Sequence, residues 1–349
     1  IVTPNTDIFK EALEFPFKRI DCVAFKINQI LNESFDQSST NDFGEMFSNC
    51  IKIVRLIESK DVQSFNIVHQ GDGTWKGKFL MLQSVVKQYD NIMEFLDSEH
   101  KSSLKFIKRK AEELLLFLEP FIEAVSDLSQ TSYPTANKII LWWATLNDHL
   151  KSSDGYSLEL KKITINVRQS IATNFQPTMD DKINCFLDPR YKFLKMLSGT
   201  ERADVALAVQ NLLKTVQYDA FEEVAEPSGQ VPPKKKAKPS NYESNKSDVN
   251  QYRLLQKPKP KDKVDRFKKY ETNLSDGTEN DECDIYLKLP PTNSNDFESE
   301  VDVIKSFWKS QSKKLPKLFQ LVKARLHLPA CCNGTGINLK TKLDLKCLD

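Results

Sequence analysis

From about Asp42 to Phe221 the apolar residues recur with the spacing of amphipathic helices. Phe47, Ile51, Val54 and Ile57 share one face, and Phe79, Leu82, Val86, Ile92 and Leu96 share another. Leu104, Ile107, Ala111, Leu114, Leu115 and Leu118 form a stripe that ends at Pro120. Ile139 to Leu150 and Leu158 to Phe175 continue the pattern, and Val205, Leu207, Val209, Leu212, Leu213 and Val216 close it. Proline costs roughly 3 kcal/mol inside a helix, so breaks are expected at Pro120, Pro134, Pro177 and Pro189. Before this body, Ile1-Val2-Thr3 reads as the end of a short buried strand, Phe9 to Leu13 as a helix turn, and Asp21 to Leu31 as a strand leading into a helix. Little alternates with period two after residue 40. The chain is predicted to be mainly α.

Residues 226–296 differ. Pro, Lys, Ser, Asn and Asp crowd out large apolar residues, and the entropy of ordering them would exceed the gain from burial. A disordered linker is expected there, basic first and acidic later. The basic part holds Lys234, Lys235, Lys236 and Lys238, then Lys257, Lys259, Lys261, Lys263, Arg266, Lys268 and Lys269. The acidic part holds Glu271, Asp276, Glu279, Asp281, Glu282 and Asp284. Helical spacing returns near Val301 and runs to Leu326, giving an apolar-rich helical pair that includes Val303, Phe307, Leu315, Leu318, Leu321 and Val322.

Charge and composition narrow the function classes. The net charge of 349 residues is only +2, so any affinity for nucleic acid rests on local charge. No apolar run approaches the ~18–20 residues of a membrane span, and no membrane association is expected. The seven cysteines, Cys22, Cys50, Cys185, Cys283, Cys331, Cys332 and Cys347, form no CxxC pair, and no histidine follows one at finger spacing. This argues against a zinc finger and for a reducing compartment. There is no Gly-rich phosphate loop and no Ser/His/Asp constellation, so no cofactor and no metal ligand set is assigned. The first residue is Ile1, which reads as the start of a fragment or truncated remnant.

The string from Asn184 to Leu194, Asn-Cys-Phe-Leu-Asp-Pro-Arg-Tyr-Lys-Phe-Leu, is the most informative stretch. Pro189 disfavours helix at Asp188, so a helix should stop near Leu187. Asp188 can cap the next turn, with Pro189 at its first helical position. One reading is a capped helix–helix junction in a core. The string also resembles the "LDPRxK" signature of hAT-superfamily transposases and of host proteins derived from them. Other landmarks follow in order. Leu118-Glu119-Pro120-Phe121 through Ser129, with Tyr133-Pro134-Thr135-Ala136, resembles "LxPFxxAT…LS…YPTA". Cys22 to Ile30 resembles "CxAHxLNLxV", and Thr74 to Leu82 resembles "RWNSxxxML". Phe307-Trp308, Leu315 to Leu318 and Leu328-Pro329-Ala330 resemble "WW…YPxLxxxAxxxLxIPAS".

The resemblance implies an RNase H-like fold whose three carboxylates hold two divalent metals for DNA cleavage. The first acid would lie upstream of Ile1. Pro4 stands where the second belongs, with Asp7 three residues on as a helix cap, and Gly336 stands in place of the third. Phe25 replaces the histidine of the first landmark, and Thr74 replaces the arginine before Trp75. Trp75 is either a retained residue for stacking on DNA or a core aromatic. In the family the C-terminal region packs on the core and helps subunits associate. Phe307, Trp308, Leu315, Leu318, Leu321 and Val322 are therefore candidates for dimerisation, with internal packing as the other reading.

Pro232-Pro233-Lys234-Lys235-Lys236-Ala237-Lys238 suits an import receptor, whose acidic groove reads extended lysines, and also suits phosphate backbones. Val231 to Tyr270 carry thirteen Lys or Arg against four acids. A solvated spacer is the third reading. The expected organisation is residues 1–40 as a remnant of an RNase H-like α/β edge, 41–225 as a helical insertion body, 226–296 as the linker and 297–349 as an hAT-type helical unit. The expected function is that of a catalytically inactive, transposase-derived nuclear protein that binds DNA, a homo- or hetero-dimer partner, or both. The alternatives are a fragment of an active metal-dependent transposase and a decayed remnant. An upstream BED zinc finger would lie outside this chain.

Overall fold

Val2–Thr3 (β1) pairs in parallel with Ile20–Asp21 (β2), Val2 opposite Ile20 and Thr3 opposite Asp21. The computed structural model describes residues 2–3, 20–36, 42–59, 65–69, 73–130, 133–215, 267–270, 281–290, 292, 300–326 and 330–331. Contacts divide the chain into one unit of Ile1–Val216 with Tyr270–Asp349 and a second of Gln217–Lys269, of which only residues 267–269 are described. Among the described residues everything beyond the two-residue strands is helix, turn or loop, so the chain is mainly α.

The helices are α1 (Val23–Asp36), α2 (Asp42–Ser59), α3 (Trp75–Lys87), α4 (Tyr89–Phe95), α5 (Ser98–Leu128), α6 (Ile139–His149), α7 (Leu158–Asn174), α8 (Met179–Phe186), α9 (Gly199–Thr215), α10 (Glu282–Lys288), α11 (Glu300–Gln311) and α12 (Pro316–Arg325). The axis of the body is α5, 31 residues and about 46 Å long at 1.5 Å per residue. The Asp97 side chain caps its start by accepting from His100 N at 2.9 Å. Its stripe Leu104, Ile107, Ala111, Leu114 and Leu118 is buried, and α1, α2, α3, α4 and α6 pack on it. The buried face of α2 is Phe43, Met46, Cys50, Ile53, Val54 and Ile57, rotated from the expected one because Phe43 and Met46 begin it.

Pro120 does not break α5, contrary to expectation. The carbonyl deprived of an N–H belongs to Leu116, whose side chain is 64% exposed, so solvent can take the bond. In the same turn the Phe117 carbonyl accepts from His149 Nε2 at 3.0 Å, a bond that fixes the proton on that nitrogen. Pro134, Pro177 and Pro189 do lie between helices.

The expected linker 226–296 is also corrected at its end. Glu282–Lys288 is a helix whose Cys283 and Tyr286 are buried. Asp281, read only as part of an acidic run, caps it by accepting from Asp284 N at 2.9 Å. Helix α10 packs on α9 and α12, and α12 also packs on α9 and α11.

Candidate functional site

The end of α8 organises the LDPRYK-like segment. A capping box starts this helix: Thr178 Oγ1 accepts from Asp181 N, and Asp181 Oδ2 accepts from Thr178 N. The helix closes at Leu187, as expected. Asp188 does cap the next turn, Oδ1 accepting from Arg190 N at 3.1 Å, but that turn does not extend into a helix. Residues 188–197 run through successive turns, with bonds from Tyr191 N to Asp188 O at 3.0 Å, Leu194 N to Tyr191 O at 2.8 Å and Leu197 N to Leu194 O at 2.9 Å. The next helix starts at Gly199. Leu194 takes the left-handed conformation at φ 46°, a strained position for a buried leucine held by the two turns that share it.

The fully buried Asp188 carboxylate turns inward. Oδ1 accepts from Arg190 N at 3.1 Å and Arg190 Nε at 3.0 Å, and Oδ2 accepts from Arg190 Nη2 and Asn137 Nδ2, both at 2.8 Å. Arg190 is 3% exposed. A charge pair this deep holds only when its remaining hydrogen-bonding sites are filled, and here the backbone and Asn137 contribute.

Neighbouring side chains then cap helix ends reciprocally. Tyr286 Oη donates to Phe186 O at 3.0 Å and Trp308 Nε1 donates to Leu187 O at 3.0 Å, supplying partners to carbonyls that α8 leaves open at its C-terminus. In return Lys192 Nζ donates to Tyr286 O at 2.7 Å and Leu289 O at 2.5 Å, at the C-terminus of α10. Cationic donors are favoured at that pole of a helix. The Tyr286 and Trp308 ring centroids lie 5.1 Å apart, and Phe186 meets Tyr286 edge-on at 5.4 Å.

The other landmark segments act in the same way. Asp127, in the last turn of α5, accepts from Tyr133 Oη and Trp142 Nε1 at 2.8 Å and from Lys138 Nζ at 3.0 Å. Thr135 Oγ1 accepts from Ala330 N at 2.8 Å. The first amides of α1 are met by the C-terminal segment: Val23 N bonds to Ala330 O at 3.1 Å and Ala24 N to Cys331 Sγ at 3.2 Å. The first amide of α3, Trp75 N, donates to Asn28 Oδ1 at 3.1 Å, and the Trp75 indole donates to Asn32 Oδ1 at 2.8 Å.

Several assignments change with this geometry. Trp75 is 1% exposed under the Lys78 ammonium, 4.3 Å from its ring, so it has no face for a DNA base and takes the core reading. Thr74, in the arginine's place, is the N-cap of α3. Of the dimerisation candidates, Trp308, Leu315, Leu318, Leu321 and Val322 are buried within the chain, and Phe307 is half-buried. Internal packing accounts for those five, because they are buried where α11 and α12 meet each other, α9 and α10. Lys234, Lys235, Lys236, Lys238, Lys257, Lys259, Lys261 and Lys263 lie outside the described residues, as do Pro4, Asp7 and Gly336. Among the described residues, no group of three or more His, Cys, Asp or Glu is placed to hold a metal ion, and no helix is long and apolar enough to cross a membrane.

Sequence reading missed Asn137, Asp127 and Tyr286. Tyr286 was readable from the short apolar run Ile285-Tyr286-Leu287 behind the Asp281 cap. Beside Lys192 lies an open pocket of about 530 Å³ lined by Phe186, Phe193, Lys195, Arg202 and Leu287 among others. Its charged lining is basic, from Lys192, Lys195 and Arg202.

Burial pulls the Lys192 ammonium down to about 8. Above that pH the folded chain holds Lys192 neutral, while the unfolded chain keeps it charged up to its ordinary range. The unfolded state then binds more protons, and stability rises with pH through this window. A neutral amine retains two N–H groups for the two carbonyls. Lys192→Met strips both carbonyls of their donor and is expected to cost about 1–3 kcal/mol. The gap to wild type should widen between about pH 7 and about pH 9.5, as read from urea midpoints. A gap that narrows as pH rises would contradict this assignment.

No protein-family model matches the chain, and no curated protein matches it.

Proposed function

We propose that the chain is a catalytically inactive descendant of an hAT-superfamily transposase that works in the nucleus by binding DNA, a partner subunit, or both. The observation that carries this reading is the pairing of the segments that resemble family landmarks. The Cys22 segment meets Trp75 and Ala330, the Tyr133-Pro134-Thr135-Ala136 segment meets Ala330, Asn137 just after it meets Asp188, and the Leu187 segment meets Trp308. Segments spread over 300 residues hold one another's helix ends, which gives their residue types a common physical purpose. The catalytic part of the reading rests on sequence: Pro4 and Gly336 stand at two acid positions, and each missing carboxylate removes a metal ligand and a negative charge. Restoring Pro4→Asp and Gly336→Glu together is expected to leave the chain inactive on DNA, because Phe25 and Thr74 also depart from the pattern.

DNA contact is assigned to the basic segment that holds Lys234 to Lys238 and Lys257 to Lys263. A second basic surface lies on α5, where Lys101, Lys105 and Arg109 recur every four residues away from the buried stripe. Lysine at the start of a helix opposes its dipole, so this placement does not serve helix stability. Changing Lys257, Lys259, Lys261 and Lys263 to alanine should reduce the slope of log affinity against log salt by about 0.9 for each phosphate that is no longer neutralised. An unchanged slope would move the DNA-binding surface to α5 or remove DNA from the proposal.

Nuclear import is assigned to Lys234, Lys235, Lys236 and Lys238, read by an import receptor. Changing Lys234, Lys235 and Lys236 to alanine should move a tagged chain from nucleus to cytoplasm. An unchanged nuclear signal would leave the run as a spacer.

A further inference from the structure

We propose that Cys22 and Cys331 are a built disulfide site that locks the start of α1 to the segment following α12. Three observations support it. The two thiols lie on adjoining segments and are 2% and 5% exposed. The segments that carry them are held by backbone groups on both sides, through Val23 N to Ala330 O at 3.1 Å and Ala24 N to Cys331 Sγ at 3.2 Å, across 307 positions of sequence in the second case. Thr135 Oγ1 fixes the same strap from behind by accepting from Ala330 N at 2.8 Å. The described thiols Cys50, Cys185 and Cys283 are also buried.

The co-reactant is hydrogen peroxide. One thiol attacks a peroxide oxygen, the O–O bond breaks, and a sulfenic acid and one water form. The second thiol then attacks that sulfur, and the S–S bond forms as the hydroxyl leaves as a second water. Two thiols lose two electrons and two protons in all, and the peroxide takes them up. Sulfur attacks as the thiolate, and the neighbouring Cys22 together with burial pushes the Cys331 thiol well above its ordinary range. Oxidation is accordingly slow at neutral pH and quickens as pH rises. Closure constrains nearly the whole chain in the unfolded state, so the oxidised form resists unfolding.

The test treats the full chain with hydrogen peroxide, blocks free thiols under denaturing conditions, and maps peptides without reduction. The expected result is a Cys22–Cys331 cross-linked peptide, loss of two hydrogens from the intact mass, and a melting temperature several degrees higher that dithiothreitol reverses. Cys22→Ser and Cys331→Ser should each abolish the link. Cys332→Ser, which leaves both partners in place, should retain it. A link between Cys331 and the adjacent Cys332, or a Cys22 that stays fully alkylatable after Cys331 is oxidised, would overturn the proposal.

Discussion

Asp188→Ala is expected to destabilise the chain by about 3–5 kcal/mol, the usual cost of removing one partner of a buried ion pair. The cost exceeds that of the hydrogen bonds themselves. Arg190 stays charged at 3% exposure with no anion against its Nε and Nη2, and Asn137 Nδ2 is left without its acceptor. Asp188→Asn should cost less, since an amide oxygen can still accept from the Arg190 backbone, but the guanidinium loses the Asp188 charge. The paired change Asp188→Leu with Arg190→Met removes both charges and should be milder than either single loss, because an apolar pair of similar volume avoids the desolvation cost. Urea denaturation of Asp188→Leu alone, Arg190→Met alone and the pair, each against wild type, closes a double-mutant cycle. Additive single losses would show that Asp188 and Arg190 do not act as a pair.

Trp308→Ala should lose about 3–5 kcal/mol, as expected for truncating a fully buried indole. Its ring packs on Tyr286 and Phe307, and its N–H is the partner of the Leu187 carbonyl at the end of α8. Trp308→Phe keeps an aromatic ring and should lose roughly 1–2 kcal/mol, mostly from the orphaned carbonyl. The loss is internal to one chain, so it should not change with protein concentration. If Trp308 worked at a dimer interface instead, its removal would raise the dissociation constant and the melting temperature of the variant would depend on concentration.

Much of this was legible in the sequence where periodicity is long. The stripe of α5, the bounds of α6 and α7, and the stop of α8 at Leu187 follow from helical spacing and from proline chemistry. The misses have physical causes. Pro120 fits inside α5 because the carbonyl it deprives lies on an exposed turn. Helix α10 is only seven residues long and lies beyond a polar run, so its local signal is weak; tertiary packing of Tyr286 on Phe186 and Trp308 holds it. Asp188 read as a helix cap because the pattern Asp-Pro is ambiguous locally. Its second partner, Asn137, comes from a segment fifty-one residues away, which spacing cannot reveal. Trp75 and the Trp308 helix pair read equally well as surface or core until Asn28, Asn32 and Leu187 supplied partners for their N–H groups.

Under the proposed function in its DNA-binding form, this chain holds DNA without cutting it. The direct measurement is a titration of the purified chain against labelled duplex at low and moderate salt, with and without Mn²⁺, followed by separation of the strands under denaturing conditions. Binding that weakens steeply with salt is expected, with both strands intact in every lane. Mn²⁺-dependent nicking by the unmodified chain would contradict the inactive reading, and the absence of binding at low salt would contradict the DNA-binding one.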